Sequence, residues 1–135
     1  MKVMGLDYGK ARIGIALSDI MGFLATPLTT LKRTTIEDDI IFLKKIIIEN
    51  SIQTVVVGLP FEMSGNKGSI ALETEEFANK LSKETNVNIV FVDERLSSVE
   101  AEEQLKLTVK NWEKRKQLLD QVSASIILQS YLDKK

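Results

Sequence analysis

Residues 1–19 contain two short apolar runs joined by a polar turn that includes Gly9 and Lys10. This pattern is typical of a β-hairpin. Side chains alternate between the two faces of a strand, so Asp7, at the end of the first run, shares a face with Gly5. Gly5 leaves the surface beside the carboxylate open. Asp7 is therefore either a turn residue, a common role for aspartate, or part of a functional site.

Three later segments have the pattern of a strand. Pro27 suggests an edge position for the first of them. The second contains the continuous β-branched run 54–57, which fits a central strand that is covered on both faces. The third is predicted to be another buried strand, and it ends in Asp93 and Glu94. These strands are predicted at residues 23–31, 53–58 and 88–94.

Segments with helical spacing alternate with these strands. A helix is predicted after a cap at Thr34 or Thr35. Its buried side is expected to consist of Ile36, Ile40, Leu43 and Ile47. Further helices are predicted at residues 69–84, after a cap at Ser97 or Ser98, and at residues 116–132. This order of elements predicts an α/β fold with a mixed sheet flanked by helices, in one domain over residues 1–135.

Three acidic positions are predicted to converge. Asp7 and the pair Asp93 and Glu94 end strands, and the carboxyl ends of parallel strands face the same rim of a sheet, where active sites gather. Asp120 lies in line with Ala124 on the apolar side of the last predicted helix. A carboxylate in that position costs stability unless it has a partner. Its partner is either the helix dipole or a cation shared with the other acids, and the shared cation accounts for all three positions.

The composition excludes several classes of site. The chain has no cysteine and no histidine, which excludes disulfides, thiol nucleophiles, imidazole bases and thiolate zinc sites. Enzymatic chemistry would depend on carboxylates, hydroxyls, Lys, Arg and hard cations such as Mg²⁺ or Mn²⁺. The net charge of −1 argues against a protein that coats nucleic acid indiscriminately, although it allows a local basic groove. No apolar run is long enough to span a membrane, so we expect a cytoplasmic protein without membrane contact.

Four segments together resemble one protein family. They are residues 5–9 with 12–16, residues 57–60, residues 93–97, and Asp120 with residues 127–133. The chain resembles the YqgF/RuvX family of ribonuclease H-like nucleases, whose members are described as pre-16S rRNA processing nucleases or as Holliday junction resolvases. The resemblance covers the whole chain in order. The departures, such as Val122 and Ser123 after the last acid, remove no carboxylate.

The resemblance implies a ribonuclease H-like mixed sheet of five strands and a divalent-metal-dependent phosphodiester hydrolase. The catalytic residues and metal ligands that it implies are Asp7, Glu94 and Asp120, which would hold one or two Mg²⁺ or Mn²⁺ ions. Strand alternation directs Asp93 to the opposite face from Glu94, so we assign Asp93 a supporting role.

Basic residues near these acids are candidates for binding nucleic acid. Lys106, Lys110 and Lys114 repeat every four residues and form one row if their segment is helical. Such a row is also typical of a solvated helix face. The full set of candidates is Lys10, Arg12, Lys67, Arg95, Lys106, Lys110 and Lys114.

The family resemblance gives two candidate substrates. The first is the 5′ end of precursor 16S rRNA, and the alternative is a Holliday junction or other branched DNA. A catalytically silent nucleic-acid-binding protein is less favoured because all three acids are present. An actin-like or sugar-kinase-like ATP-binding domain is less favoured because it requires a second domain. We therefore expect a nucleic acid as the partner of a monomer or weak homodimer.

Overall fold

The part of the chain that the structure describes forms a mixed sheet with helices on both faces. The structure is a computed structural model and describes residues 1–59, 68–93, 101, 103 and 112–134, with only the backbone of residues 112–117. The strands are β1 (Val3–Tyr8), β2 (Arg12–Ser18), β3 (Ala25–Lys32), β4 (Thr54–Leu59) and β5 (Asn88–Asp93). The helices of this part are α1 (Ile36–Glu49), α2 (Ser69–Thr85) and α3 (Trp112–Asp133). None of these helices combines the length and the apolar character that crossing a membrane requires.

The five strands follow the order β3-β2-β1-β4-β5 across the sheet. The strand β1 pairs antiparallel with β2 and parallel with β4, and β5 runs parallel to β4. The carboxyl ends of β1, β4 and β5 therefore lie at one rim. This topology confirms the prediction of a mixed five-stranded sheet flanked by helices.

Each face of the sheet has its own apolar core. On one face, α1 and α2 pack against alternate residues of β1, so that Met4 and Leu6 share a cluster with Leu43, Phe77 and Leu81. This burial follows from the period of two along the strand and the period of about 3.6 along the helices. The alternation predicted for β1 is confirmed.

Helix α3 covers the other face of the sheet. Its residues Ala124, Ile127 and Leu128 cluster with Val3 of β1 and Val56 of β4. The central strand β4 is thus buried on both faces, as its β-branched run predicted.

Two glycines allow α3 to lie unusually close to the sheet. A Cβ atom added to Gly5 would lie 2.7 Å from Cβ of Leu128 and 2.9 Å from the carbonyl oxygen of Ala124. A Cβ atom added to Gly14 would overlap the carbonyl oxygen of Asp120. The absence of side chains at these two positions therefore sets where the α3 backbone rests.

The start of α1 agrees with its sequence signal. Thr35 is the cap residue, and its hydroxyl oxygen accepts a hydrogen bond of 3.1 Å from the backbone N–H of Asp38. Of the four residues predicted for the buried side, the last three are buried. The prediction for Ile36 is wrong, since it is 42% exposed. It is the first residue of α1, and the core cluster includes no residue of this helix before Ile40.

Three other boundaries or environments differ from the predictions. The strand β3 lies at an edge of the sheet, as expected. It begins at Ala25, two residues after the predicted start, because the N–H groups of Phe23 and Leu24 donate to Oδ1 of Asp19 in a turn. The prediction of a buried β5 is wrong: it ends the strand order of the described sheet, and Phe91 is 37% exposed. The helix α3 begins earlier than predicted, at Trp112.

A polar network supports the end of β1 on the side of α1 and α2. Nε of Arg33 donates to Oδ2 of Asp39 at 2.9 Å, and Asp39 is only 1% exposed. Nη1 of Arg33 donates to the hydroxyl of Tyr8 at 2.6 Å and to the carbonyl of Gly9 at 3.1 Å. The Tyr8 hydroxyl in turn donates to Oε1 of Glu73 at 2.9 Å. Arg33 therefore joins β1 and the hairpin turn to both helices on this face.

Gly14→Ala tests the close approach of α3. We expect it to lower the free energy of unfolding by about 1–3 kcal/mol, because overpacking of a tight contact forces the backbone to shift. Thr26→Ala, at an exposed position of β3, is the control and should cost less than about 1 kcal/mol. Chemical denaturation measures both values. If Gly14→Ala were as stable as the parent protein, this result would contradict a close contact between the α3 backbone and β2 at Gly14.

Asp39→Asn tests the polar network. Removing one partner of a buried ion pair leaves the other charge uncompensated, so we expect a loss of about 3 kcal/mol in unfolding free energy. The matched control is Asp38→Asn, one residue away and exposed, which should change stability by no more than about 0.5 kcal/mol. Equal effects in the two variants, measured by urea unfolding, would contradict a structural role for the buried pair.

Candidate metal and nucleic-acid site

Asp7 lies near the carboxyl end of β1, on the face of the sheet that α3 covers. Its Cα atom pairs with that of Gly14 on β2, and residues paired in this way lie about 5 Å apart and point to the same face. The Asp7 side chain is half-buried. Because Gly14 has no side chain, the space beside Asp7 is open to the backbone of α3.

The packing of α3 brings Asp120 to the same place. Asp120 precedes Ala124 by four residues and Leu128 by eight, and both of these residues are fully buried against the sheet. Its carbonyl oxygen lies where a side chain at Gly14 would begin. Asp120 is therefore on the buried side of α3, as its spacing predicted, and its backbone lies against the strand partner of Asp7.

Arg12 forms an ion pair with Asp120. Its Nε donates to Oδ2 of Asp120 at 2.6 Å, with the Arg12 side chain 51% exposed and the Asp120 side chain 20% exposed. The hydrogen bond and the negative charge of Asp120 raise the pKa of the Arg12 guanidinium above its ordinary value. The carboxylate of Asp120 thus already accepts a cationic group.

Other charged residues surround this pair. Lys10 is exposed in the hairpin turn, and Asp93 is exposed at the end of β5, on the rim where β1 also ends. Lys32 of β3, which the sequence analysis did not select, pairs across the strands with Arg12. The rim therefore carries both the acidic and the basic groups that a site for metal and phosphate requires.

Several predicted site residues lie outside the described part of the chain. They are Glu94, Lys67, Arg95, Lys106 and Lys110, together with the side chain of Lys114. Among the described residues, no group of three or more acidic side chains is close enough to hold a metal ion. The described residues supply two members of the predicted ligand set, Asp7 and Asp120, and the third member is Glu94.

Asp7 and Asp120 fit a hard divalent cation. Both present carboxylate oxygens, which Mg²⁺ and Mn²⁺ prefer as ligands. Neighbouring carboxylates repel each other, and a shared cation relieves that repulsion. The ion pair with Arg12 shows that positive charge is accommodated at Asp120.

The polar network behind β1 was missed by the sequence analysis. Burial raises the pKa of the Tyr8 hydroxyl, and its hydrogen bond to Glu73 adds to this rise, so Tyr8 remains a neutral donor. Asp39 precedes Leu43 by four residues, so helical spacing already placed it on the buried side of α1. The sequence offered no comparable signal for Arg33.

Related proteins are similar in sequence to this chain over nearly its whole length. A protein of Picosynechococcus sp. (strain ATCC 27264 / PCC 7002 / PR-6) is 48% identical over 130 residues, which are 96% of this chain and 90% of the relative. A protein of Carboxydothermus hydrogenoformans is 44% identical over 135 residues, which are 100% of this chain and 98% of the relative. Both relatives carry the provisional name pre-16S rRNA nuclease.

Solved structures share the fold at low sequence identity. RuvC of T. thermophilus, in complex with a Holliday junction substrate, has a TM-score of 0.65 and 14% identity, covering 99% of this chain and 94% of that one. The fowlpox virus resolvase, in complex with Holliday junction DNA, has a TM-score of 0.60 and 11% identity, covering 99% and 98%. These likenesses establish the common fold.

The sequence model of the RuvX family, described as Holliday junction resolvase, matches residues 1–134. The match includes Asp7, Asp120 and the segments on which the resemblance was based. It agrees with the relatives, whose similarity extends over nearly the whole chain. The chain therefore belongs to the RuvX family.

Proposed function

We propose that this protein is a divalent-metal-dependent nuclease that processes the 5′ end of precursor 16S rRNA. The enzyme class follows from the family: the protein is a phosphodiester hydrolase. The observation that carries the proposal is the position of Asp120. Its backbone lies against Gly14, the residue of β2 that pairs with Asp7, and its carboxylate forms an ion pair with the basic Arg12. The names of the relatives support precursor 16S rRNA as the substrate.

We propose that one or two Mg²⁺ or Mn²⁺ ions bind to the carboxylates of Asp7, Glu94 and Asp120. When bound, such ions would activate a water molecule and stabilise the leaving oxygen. The protein's own contribution is to hold two of these carboxylates on a rigid strand and a packed helix. Such positioning matters because small displacements of catalytic groups are costly in rate. Lys10 and Arg12, on the adjoining turn and strand, are proposed to bind the phosphates on either side of the cleaved bond.

Cleavage of branched DNA is the second candidate. It is favoured by the description of the family and by the fold shared with RuvC, whose structure holds a Holliday junction substrate. The same carboxylates and the same basic groups would serve either substrate, because metal-assisted hydrolysis acts on the phosphodiester and not on the base. We also propose that the protein is located in the cytoplasm and is a monomer or a weak homodimer.

Asp7→Asn tests the proposed chemistry on both substrates. We expect its cleavage of precursor 16S rRNA in Mn²⁺ to fall by about a thousandfold or more, since a lost metal ligand removes several kcal/mol of transition-state stabilisation. In chelator the variant should melt at the same temperature as the parent or slightly higher, because neutralising one of two neighbouring carboxylates relieves repulsion.

The exposed Asp38→Asn variant is the control and should cleave like the parent protein. A four-way DNA junction in parallel reactions separates the two candidate substrates, and the proposal requires faster cleavage of the rRNA precursor. Full activity of Asp7→Asn with a normal melting temperature would refute the metal site, and unfolding of the variant would indicate a structural role for Asp7.

The lysine row 106, 110 and 114 is proposed to bind phosphates. Replacing all three residues with glutamine should reduce the dependence of log affinity on log salt by about one unit for each phosphate that a lysine neutralises on a duplex. The measurement is a salt titration of nucleic-acid binding in Ca²⁺, in which binding is expected without cleavage. An unchanged slope would assign the row to a solvated helix face, and Lys67 would then be the next residue to replace.

A further inference from the structure

The ion pair between Arg12 and Asp120 joins a proposed phosphate-binding residue to a proposed metal ligand. A divalent cation coordinated by the carboxylate of Asp120 would lie about 2 Å from one of its oxygens. The guanidinium of Arg12 is 2.6 Å from Oδ2 of the same carboxylate. Two positive groups this close repel each other. The ion pair and the loaded metal site therefore oppose one another.

We propose that Arg12 exchanges between two anionic partners. In the metal-free protein its guanidinium neutralises Asp120. When Asp120 coordinates a metal ion, Arg12 is released and binds a phosphate of the nucleic acid. The inference rests on the proposed function, and it makes Arg12 both a competitor of the metal and a substrate-binding group that the metal makes available.

The packing of α3 makes Arg12 the partner that moves. The backbone of Asp120 rests on Gly14, and four and eight residues further along α3, Ala124 and Leu128 are fully buried on the sheet. The backbone of Asp120 cannot follow a displaced guanidinium unless α3 shifts on the sheet, and its side chain is only 20% exposed. The Arg12 side chain, in contrast, is 51% exposed on the first residue of β2, so it can rotate into solvent.

The strength of the ion pair suits an exchange. Exposed ion pairs are weak because water competes for both charges, and this one is half-exposed on the arginine side. Several carboxylate ligands around a divalent cation provide a stronger interaction with Asp120 than one guanidinium does. The pair is thus strong enough to shield the carboxylate in the metal-free protein and weak enough to yield to the metal.

The guanidinium keeps donors available for a phosphate. Its described hydrogen bond uses Nε alone, and among the described residues neither terminal nitrogen of Arg12 has a partner. A guanidinium presents its donors as a planar fork that matches the oxygens of a phosphate. Once Nε is released as well, Arg12 can bind a phosphate through two donors. Metal binding should therefore strengthen nucleic-acid binding, and the reverse effect must be equal by linkage.

A brace between β2 and α3 is the competing explanation of the same ion pair. A brace would contribute to folding stability and would leave the metal affinity unchanged or lower when removed. The exchange makes the opposite prediction, because deleting Arg12 removes a competitor from Asp120.

The first measurement is the affinity for Mn²⁺, by isothermal titration calorimetry of the parent protein and Arg12→Gln without nucleic acid. We expect the variant to bind Mn²⁺ about two- to fivefold more tightly, the range that corresponds to the loss of one exposed ion pair. The matched control is Lys32→Gln, which removes a positive charge directly across the strands from Arg12 but no ion pair with a described residue. The Mn²⁺ affinity of Lys32→Gln should change by less than half as much as that of Arg12→Gln.

Unchanged or weaker Mn²⁺ binding by Arg12→Gln would overturn the exchange. Equal gains in the two variants would also overturn it, because the effect would then come from net charge. If the parent protein bound no Mn²⁺ and cleaved nothing, the proposed function itself would fail. A parent protein that binds Mn²⁺ and cleaves, with no gain in Arg12→Gln, would defeat the exchange alone.

The second measurement is the salt dependence of binding to a fluorescein-labelled RNA duplex. In Ca²⁺ we expect Arg12→Gln to lower the slope of log affinity against log salt by about one unit, the change expected when one phosphate is no longer neutralised. In chelator the parent protein and Arg12→Gln should have the same slope, because the guanidinium of the parent protein is then paired with Asp120 and does not bind phosphate. Equal reductions of slope in both conditions would show that Arg12 binds phosphate without exchange and would overturn the proposal.

Discussion

The site depends on the close packing of α3 on the sheet at Gly5 and Gly14. With no side chain at either position, the helix backbone approaches β1 and β2 closely enough for its apolar residues to fill the sheet face. This packing determines the position of Asp120, whose carbonyl rests on Gly14, across the strands from Asp7. The hydrophobic core thus determines where the backbone of Asp120 lies relative to the strand pair that carries Asp7.

Charge on the two sides of β1 is balanced in different ways. On the α3 side, the exposed Arg12 neutralises Asp120 through an ion pair with a single hydrogen bond, and solvent weakens this interaction. On the other side, the side chain of Arg33, only 11% exposed, donates hydrogen bonds to Tyr8, the Gly9 carbonyl and Asp39 in a network that supports the turn after Asp7. A buried network resists rearrangement because each unpaired group would be costly, whereas an exposed pair can be exchanged. The rigid side supports the strand, and the exposed side is free to respond to ligands.

The sequence was sufficient for features that depend on regular spacing. The period of two along β1 separated Asp7 from the Met4 side, and the helical period placed Asp120 with the buried residues of α3. It was insufficient where position in the sheet decides the outcome. The apolar composition of β5 indicated burial, but composition does not show that a strand lies at the end of the strand order. Nor does local spacing reveal a partner like Asp120 for Arg12, 108 positions away.

The most direct test of the site is the anomalous scattering of crystals grown with Mn²⁺. We predict a manganese peak about 2 Å from carboxylate oxygens of both Asp7 and Asp120, with Glu94 completing the ligand set and Arg12 no longer bonded to Asp120. A peak bound to only one of the two aspartates, or a fully occupied manganese ion elsewhere with the Arg12–Asp120 pair intact, would contradict it.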